Sequence, residues 1–197
     1  VESARLGQDP PPERVLEGLM ALASANYQLH LPAGSRIGEL VMYPQSAYEA
    51  RGIEDLRLVR FTKPDGSRTD YGTYTAFDGR QILPMLVQTD DFRTLSVHTL
   101  NGQCAVGKGM ALFPRQINGK YAMCSRIDGQ NLFIMYSDGV TFWESAELLA
   151  EPAAPWEFRL IGNCGSPIET KEGWLMLTHG VGPMRQYAIG AILGSRF

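Results

Sequence analysis

The stretch Tyr71-Gly-Thr-Tyr-Thr-Ala-Phe-Asp78-Gly79 has a counterpart about fifty residues later, Tyr121-Ala-Met-Cys-Ser-Arg-Ile-Asp128-Gly129. Each copy is a short strand-like run that ends in an Asp-Gly turn. A second run follows the turn and ends at Thr89-Asp90 in the first copy and at Ser137-Asp138 in the second. A third copy begins at Trp174-Leu-Met-Leu-Thr-His179-Gly180. A repeat of this length, built from short strands around tight turns, is typical of a β-propeller blade, so the sequence predicts an all-β propeller.

The composition narrows the possible classes of function. The 197 residues are 44% hydrophobic, which is enough for one large or two small domains with a buried core. A net charge of −3 with 20% charged residues argues against a nucleic-acid partner. No apolar run approaches the roughly 20 residues of a membrane-spanning helix, so no membrane association is expected. The sequence contains no zinc-ligand spacing, and no metal site is expected.

The cysteines bear on the cellular compartment. Cys104, Cys124 and Cys164 are odd in number and widely spaced in apolar surroundings. This pattern predicts buried free thiols in a reducing compartment, and a cytoplasmic location fits it.

Two segments are expected along the chain. Residues 1–35 are predicted to be a short N-terminal helical segment and linker, in which Asp9 caps a helix that Pro10-Pro11-Pro12 opens and that runs from residue 13 to residue 27. Residues 36–197 are predicted to form a partial β-propeller catalytic domain. Its strands are expected at residues 40–43, 57–61, 69–77, 81–88, 94–100, 110–113, 120–127, 131–137 and 146–149, with a third unit from residue 156 onward.

About three blades can be counted, two nearly complete and most of a third. This number is too few to close a ring, and a propeller hides the edges of its sheets only by closing on itself. The chain is therefore expected either to be part of a longer polypeptide or to associate with another chain or copy that covers the open blade edges.

Candidate functional residues occupy equivalent places in the repeat. Glu54-Asp55-Leu56-Arg57 opens the first strand of unit one, and Lys108 opens the first strand of unit two. Arg126 ends the second strand of unit two, and His179 occupies the matching place in unit three, followed by Tyr187. Equivalent blade ends converge on the propeller axis, so an acid should face a basic cluster there. Such an arrangement suits glycosidic cleavage by an anion, since the acid protonates the leaving oxygen while the cations hold phosphate at the anomeric carbon.

Structural explanations remain open for the same residues. Glu54 and Arg57 could form an ion pair at a strand end, and His179 could be a hydrogen-bonded turn residue. The three tryptophans, Trp143, Trp156 and Trp174, are expected in the core between blades rather than as sugar platforms. The other histidines and several aspartates, namely His30, His98, Asp90, Asp91 and Asp138, are expected at the surface or in turns.

Four motifs in the chain also resemble a known family. They are Gly52-Ile-Glu-Asp-Leu-Arg57, Ala111-Leu-Phe-Pro-Arg-Gln-Ile-Asn-Gly-Lys-Tyr121, Tyr136-Ser-Asp138 with Phe142-Trp143, and Gly173-Trp-Leu-Met-Leu-Thr-His-Gly-Val181. In this order they are similar to glycoside hydrolase family 130, which comprises β-mannoside phosphorylases and related mannosidases. The resemblance covers residues 51–193 and implies a five-bladed propeller, of which this chain would hold about three blades.

The resemblance also assigns roles to residues. Asp55 matches the catalytic acid, which acts through a sugar hydroxyl, and Glu54 and Arg57 are expected to bind substrate. Lys108, Arg126, His179 and Tyr187 match phosphate-binding positions. Three positions depart from the phosphorylase pattern: Lys108 replaces an Arg, Gly109 replaces an Asn, and Leu160 replaces a Lys, with Arg159 beside it.

The activity that the resemblance implies is cleavage of β-mannosidic bonds in oligosaccharides with inversion, with inorganic phosphate as co-substrate and no metal or organic cofactor. The alternatives are an inverting β-mannosidase that uses water, which the three departures favour, and a non-catalytic sugar-binding fragment.

Overall fold

A computed structural model describes residues 13–194 of the chain. It begins with one helix, α1 (Glu13–Ser24). The strands are β1 (Tyr27–His30), β2 (Ile53–Thr62), β3 (Arg68–Phe77), β4 (Ile82–Thr89), β5 (Thr94–Thr99), β6 (Lys108–Leu112), β7 (Tyr121–Arg126), β8 (Leu132–Ser137), β9 (Ala146–Ala150), β10 (Leu160–Asn163), β11 (Ile168–Thr170), β12 (Gly173–Val181) and β13 (Tyr187–Gly194). Short 3₁₀ turns lie at Ile37–Glu39, Ala47–Glu49, Pro155–Glu157 and Pro183–Arg185.

The strands form three antiparallel sheets that follow one another along the chain. Sheet 1 has the order β1-β5-β4-β3-β2, and sheet 2 has the order β6-β7-β8-β9. In sheet 3, β12 pairs with β13 along one edge and with both β10 and β11 along the other. The predicted all-β architecture of a partial propeller with about three blades is confirmed, and the three sheets remain open rather than closed into a ring.

The repeated Asp-Gly turn has the same structure in sheets 1 and 2. Asp78 accepts hydrogen bonds through Oδ1 from the backbone N–H groups two and three residues further on, at 2.7 and 2.8 Å. Asp128 accepts the equivalent pair, both at 2.8 Å. Gly79 and Gly129 then adopt φ values of 99° and 78°, which favour glycine. The fifty-residue repeat in sequence is thus a repeat of one hairpin.

Aromatic residues from the repeat join sheets 1 and 2. Phe61 packs edge-on against Tyr71, with ring centroids 5.6 Å apart, and stacks on Tyr121 at 5.2 Å. Trp143 is fully buried in the same cluster. Because Tyr71 and Tyr121 begin the two copies of the repeat, the repeat supplies both sides of this core.

A second core lies between sheets 2 and 3. Phe113 meets Trp174 there with ring centroids 5.0 Å apart, and Met176 is fully buried beside them. Trp143 and Trp174 therefore occupy the predicted places in the core between blades. The same prediction was wrong for Trp156, which is 47% exposed because it lies in the loop before β10 rather than on a strand face.

The N-terminal segment covers the second face of sheet 1. The helix ends at Ser24 and not at residue 27 as predicted, because Asn26 donates to the Leu22 carbonyl at 2.9 Å and accepts from the backbone N–H of Thr99 at 3.0 Å. Tyr27–His30 then pairs with β5 as a fifth strand. The predicted helix start at Asp9 and Pro10-Pro11-Pro12 lies outside the described residues, and the domain division at residue 35 stays a prediction.

The strand predicted at residues 40–43 was wrong. These residues are irregular, and Leu40 and Met42 pack against sheet 1 without pairing as a strand. Glu49 stabilises the loop that follows, because its buried carboxylate accepts hydrogen bonds from the hydroxyls of Tyr27 and Tyr74 at 2.9 and 2.7 Å. Burial alone would raise the pKa of Glu49, but these bonds and two from backbone N–H groups lower that pKa overall.

Two features are absent from residues 13–194. None of the helices there is long and apolar enough to cross a membrane. That part of the chain also holds no cluster of three or more His, Cys, Asp or Glu side chains able to bind a metal ion.

Candidate active site

One cavity of about 830 Å³ is lined by all seven residues that the sequence predicted as site residues. Strands β2, β6, β7, β10, β12 and β13 contribute to its wall, so it lies where the three sheets approach one another. The lining residues that the sequence predicted are Glu54, Asp55, Arg57, Lys108, Arg126, His179 and Tyr187. The repeat therefore brings together side chains from positions 54 to 187, as expected for blade ends around an axis.

Irregular backbone shapes the two strands that carry the first of these residues. The pairing of β2 with β3 shifts register between Glu54 and Arg57, and Asp55 within this bulge has a φ of 61°. The pairing of β6 with β7 shifts at the equivalent place, after Lys108, where Gly109 has a φ of 83°. A bulge redirects side chains out of the regular alternation, and here it puts Asp55 in the cavity wall.

An ion pair connects the two bulged strands. Lys108 donates to the carboxylate of Glu54, and both side chains are partly exposed. The alternative that Glu54 pairs with Arg57 is wrong, since Glu54 reaches across to the equivalent position of the next sheet. Lys108 is thereby partly neutralised by Glu54, whereas Arg57 and Arg126 take part in no ion pair within the described residues.

Arg57 lies in the cavity wall with unused hydrogen-bonding capacity. Its Nη1 is buried and has no hydrogen-bond partner in the described part of the chain. Burial lowers the pKa of Arg57, the charge of Asp55 raises it, and the charge of Arg126 lowers it again. A Cβ at Gly109 would lie 3.3 Å from Arg57 Nη1, so the glycine leaves room for the guanidinium.

Arg126 and His179 form the other basic pair. Arg126 Nη1 lies 3.4 Å from His179 Nε2, and Arg126 Nε is buried without a partner among the described residues. Burial lowers the pKa of His179, and the charges of Arg126 and Arg57 lower it further. A guanidinium only donates, so Nε2 accepts and the neutral imidazole carries its proton on Nδ1. His179 is therefore a neutral acceptor for Arg126, and its N–H lies on the Nδ1 edge of the ring, 4.0 Å from Cys164 Sγ.

Gly162 allows Arg126 and His179 to meet. It pairs with His179 across β10 and β12, and a Cβ at Gly162 would lie 2.8 Å from both Arg126 Nη1 and His179 Cε1. Tyr187 stands on the other side of His179, with ring centroids 6.1 Å apart, and is 70% exposed.

Among the lining residues outside the predicted set, three carry a charged or nucleophilic side chain: Cys164, Arg159 and Arg185. Cys164 is exposed, with Sγ 4.0 Å from His179 Nδ1, and of the three free thiols predicted to be buried only Cys124 is fully so. Arg185 follows a Gly-Pro turn next to the strand of His179, and this proximity was the available signal for it.

A smaller apolar hollow of about 190 Å³ adjoins the acid. Met42, Ile53, Leu56 and Tyr74 line it together with Glu54 and Asp55, which also line the larger cavity. Asp55 therefore stands between a cationic cavity and an apolar hollow. This arrangement can bind an anion on one side of a carboxyl group and the apolar face of a sugar on the other.

Comparison with known proteins assigns the family. Residues 34–194 match the model of glycoside hydrolase family 130, described as beta-1,4-mannooligosaccharide phosphorylase. The chain belongs to this family.

Relatives with assigned activities match most of the chain. It is 32% identical over 168 residues to a 1,2-beta-oligomannan phosphorylase of Thermoanaerobacter sp., covering 80% of this chain and 52% of the relative. It is 30% identical over 158 residues to a beta-1,2-mannobiose phosphorylase of Listeria innocua, covering 77% and 43%. The chain thus spans about half the length of the curated relatives it matches.

Solved structures agree with the fold. The Listeria innocua beta-1,2-mannobiose phosphorylase in complex with beta-1,2-mannobiose has a TM-score of 0.65 at 28% identity, over 77% of this chain and 43% of that one. A glycoside hydrolase of Parabacteroides distasonis has a TM-score of 0.64 at 19% identity, over 77% and 53%, which supports the fold alone.

Proposed function

We propose that the chain provides the catalytic acid and the phosphate site of an enzyme that cleaves β-mannosidic bonds in oligosaccharides with inversion. The observation that carries this proposal is the position of Asp55 opposite Arg57, Arg126 and His179 in one cavity. Two buried guanidinium nitrogens there have no partner among the described residues, and buried donors without partners call for a ligand or water.

The proposed reaction uses the cationic cavity and the apolar hollow on the two sides of Asp55. A hydroxyl group of the bound sugar gives its proton to the glycosidic oxygen as the bond from the anomeric carbon to that oxygen breaks, and the carboxyl group of Asp55 replaces the proton on that hydroxyl. A phosphate oxygen, held by Arg57 and Arg126, forms the new bond to the anomeric carbon from the opposite face. Inversion of a β-mannoside yields an α-configured mannosyl phosphate, and Asp55 regains its proton from solvent.

Tyr187 completes the anion site as a donor of a hydrogen bond. Neutral His179 borders the anion and accepts from Arg126, and Lys108 adds a charge that its ion pair with Glu54 partly neutralises. Glu54 and Arg57 border the bound sugar as well. The hollow beside Asp55 accepts the apolar face of a sugar ring, with Met42 and Leu56 as its aliphatic floor. No metal or organic cofactor takes part in this scheme, and inorganic phosphate is the co-substrate.

The cytoplasm is the proposed location, because three free cysteines suit a reducing compartment.

A second copy or another chain is proposed to cover the open sheet faces. The outer face of sheet 3 supports this association, since Ile189 is 79% exposed and Leu193 is 57% exposed. Exposed apolar sheet faces of this kind favour association.

The test is the phosphate dependence of turnover. Mannobiose or mannooligosaccharide cleavage is measured with and without inorganic phosphate in wild type, in Arg126→Ala and in Arg60→Ala. Arg60 is a matched control, since it is an exposed arginine of β2 that pairs with Asp70. We expect cleavage to require phosphate and Arg126→Ala to raise the KM for phosphate at least about tenfold, because a charge-assisted contact is lost.

Two outcomes would redirect the proposal. Equal turnover with and without phosphate, in wild type and in Arg126→Ala, would indicate an inverting β-mannosidase that uses water. Absence of turnover on every β-mannoside would indicate a sugar-binding chain without catalysis.

A further inference from the structure

Two arginines that line the main cavity have no part in the proposed reaction, namely Arg159 and Arg185. Arg159 directly precedes β10 and donates its backbone N–H to the Val181 carbonyl at 2.8 Å. Arg185 lies in the turn that leaves β12 after Val181. Since Leu160 pairs with Val181, both arginines are anchored to the same end of sheet 3.

The two side chains line both the main cavity and a neighbouring surface cavity. The second cavity has a volume of about 410 Å³ and is lined by Phe158, Arg159, Gly182, Pro183, Met184 and Arg185. Arg159 and Arg185 therefore lie between the main cavity and the neighbouring surface cavity.

Neither charge is compensated by an ion pair within residues 13–194. Among residues 13–194, the ion pairs involve Arg60, Lys108, Arg115 and Lys120, and neither Arg159 nor Arg185 takes part in one. No side-chain hydrogen bond of either guanidinium occurs within that part of the chain. Two unpaired guanidinium groups that line the same cavity present planar donors that suit a phosphoryl group.

The turn that carries Arg185 is strained. Met184 and Arg185 have φ values of 57° and 59°, two successive residues in the left-handed region that disfavours side chains other than glycine. The turn is closed by Gly182, whose N–H donates to the Gln186 carbonyl at 2.8 Å. Strain of this kind persists where the surroundings enforce it, and it concentrates at ligand-binding sites.

We propose that Arg159 and Arg185 form a second, outer anion subsite that binds a phosphoryl group at the mouth of the cavity. The ligand is either inorganic phosphate on its way to the inner site or the phosphate group of a glycosyl phosphate on its way out. This proposal rests on the proposed function only for the direction of transfer, because the subsite itself requires just the two arginines.

The experiment is a calorimetric titration of the 197-residue chain with inorganic phosphate and, separately, with α-mannose 1-phosphate. Wild type is compared with the double variant R159A/R185A, with R126A for the inner site, and with R80A. Arg80 is the matched control, since it is an exposed arginine in the turn between β3 and β4 and lines neither of the two cavities.

We expect two phosphate-binding events in wild type and R80A. R159A/R185A should lose one of them, with its affinity falling about tenfold or more, and R126A should lose the other. R185K should retain part of the outer affinity, because it keeps the charge but not the forked geometry. R185G should lose the outer event while unfolding at the same or a higher temperature, because glycine accepts the left-handed backbone.

The outcomes separate the two proposals. Phosphate binding that weakens in R126A and is unchanged in R159A/R185A overturns the outer subsite and leaves the inner one. Binding that weakens in R159A/R185A and is unchanged in R126A supports the outer subsite and contradicts the proposed inner phosphate site. Absence of binding of both phosphate compounds to folded wild type overturns both. Binding of α-mannose 1-phosphate alone at the outer subsite would assign it to the product.

Discussion

Single residues with unusual backbone conformations determine where the reactive groups point. Asp55 adopts a φ of 61° within the bulge of β2, and Gly109 adopts a φ of 83° in the equivalent bulge of β6. A residue in the left-handed region of backbone conformation destabilises the fold by about 1–3 kcal/mol, except that Gly, Asn and Asp tolerate this region better. An aspartate at position 55 therefore combines an acid with one of the few side chains that this backbone accepts.

This combination predicts the behaviour of Asp55→Asn. Asparagine tolerates the left-handed backbone as well as aspartate does, so the fold and its thermal unfolding midpoint should be unchanged. The amide cannot deliver the proton, and general acid catalysis contributes about 10²- to 10⁴-fold, so kcat on mannooligosaccharides should fall by that factor. A loss below about tenfold would move the acid role to another group, with Glu54 as the next candidate.

The neutral state of His179 predicts a pH dependence for anion binding. Burial and the charges of Arg126 and Arg57 hold the pKa of His179 below 6.5, so the free site gains this positive charge only under more acidic conditions. A bound dianion favours the protonated ring, and its affinity should therefore rise as the pH falls below 6.5. Sulfate is the suitable probe because it does not titrate in this range, and the affinity can be followed by calorimetry.

The same lowered pKa of His179 has the opposite effect on the stability of the anion-free chain. The unfolded imidazole takes up its proton first as the pH falls below 6.5, so this contribution to folding is present above that pH and is lost below it. His179→Gln should flatten both profiles. Sulfate affinity that stays constant through this range in wild type would contradict a neutral His179.

At the scale of secondary structure, local signals predicted the hairpins better than the connections. The strands β2 to β9 were predicted within a few residues because the repeated Asp-Gly turns define where each hairpin reverses. Residues 40–43 have a strand-like composition, yet Leu40 and Met42 use their side chains to cover sheet 1. Whether such a segment pairs or packs depends on contacts far away in sequence, which local composition does not encode.

The same reasoning applies to the site. The repeat correctly predicted that Arg126 and His179 would meet, because equivalent strand ends converge. It could not predict that Glu54 pairs with Lys108 instead of Arg57, since the bulge that redirects these side chains arises from pairing between strands. The role of Gly162 could not be predicted either, because the space that a glycine leaves free depends on neighbouring side chains that only the structure shows.

The close approach at Gly162 in β10 gives an element-scale prediction. Gly162→Ala places a methyl group 2.8 Å from Arg126 Nη1 and His179 Cε1, so both side chains must move. We expect phosphate affinity to fall about tenfold or more while the strand pairing persists. Gly165→Ala is the control, since a Cβ there meets no atom within 4 Å. Equal phosphate affinity in both variants, measured by calorimetry, would show that Arg126 and His179 do not hold the anion together.

At the scale of the whole molecule, the first and last sheets differ in how their outer faces are covered. The outer face of sheet 1 is packed by the N-terminal segment, including Leu40 and Met42. The outer face of sheet 3 carries Leu177, Ile189 and Leu193, which are 43%, 79% and 57% exposed. Residues directly opposite across β12 and β13 share a face, so the register aligns these side chains into one apolar strip beside His179.

This strip predicts that the chain associates in solution through sheet 3. Leu193→Glu puts a charge into the strip and should shift the mass measured by light scattering toward that of a monomer, because burying an unpaired carboxylate is costly. Leu148→Glu is the control: Leu148 is a similarly exposed leucine, 53%, but it lies on β9 at the edge of sheet 2. If wild type is a soluble monomer at high concentration, or if both variants dissociate equally, sheet 3 is not the surface that associates. Loss of association in Leu193→Glu together with weaker phosphate binding would further connect the covered face to the anion site, because Ile189 of the strip pairs with His179 across β12 and β13.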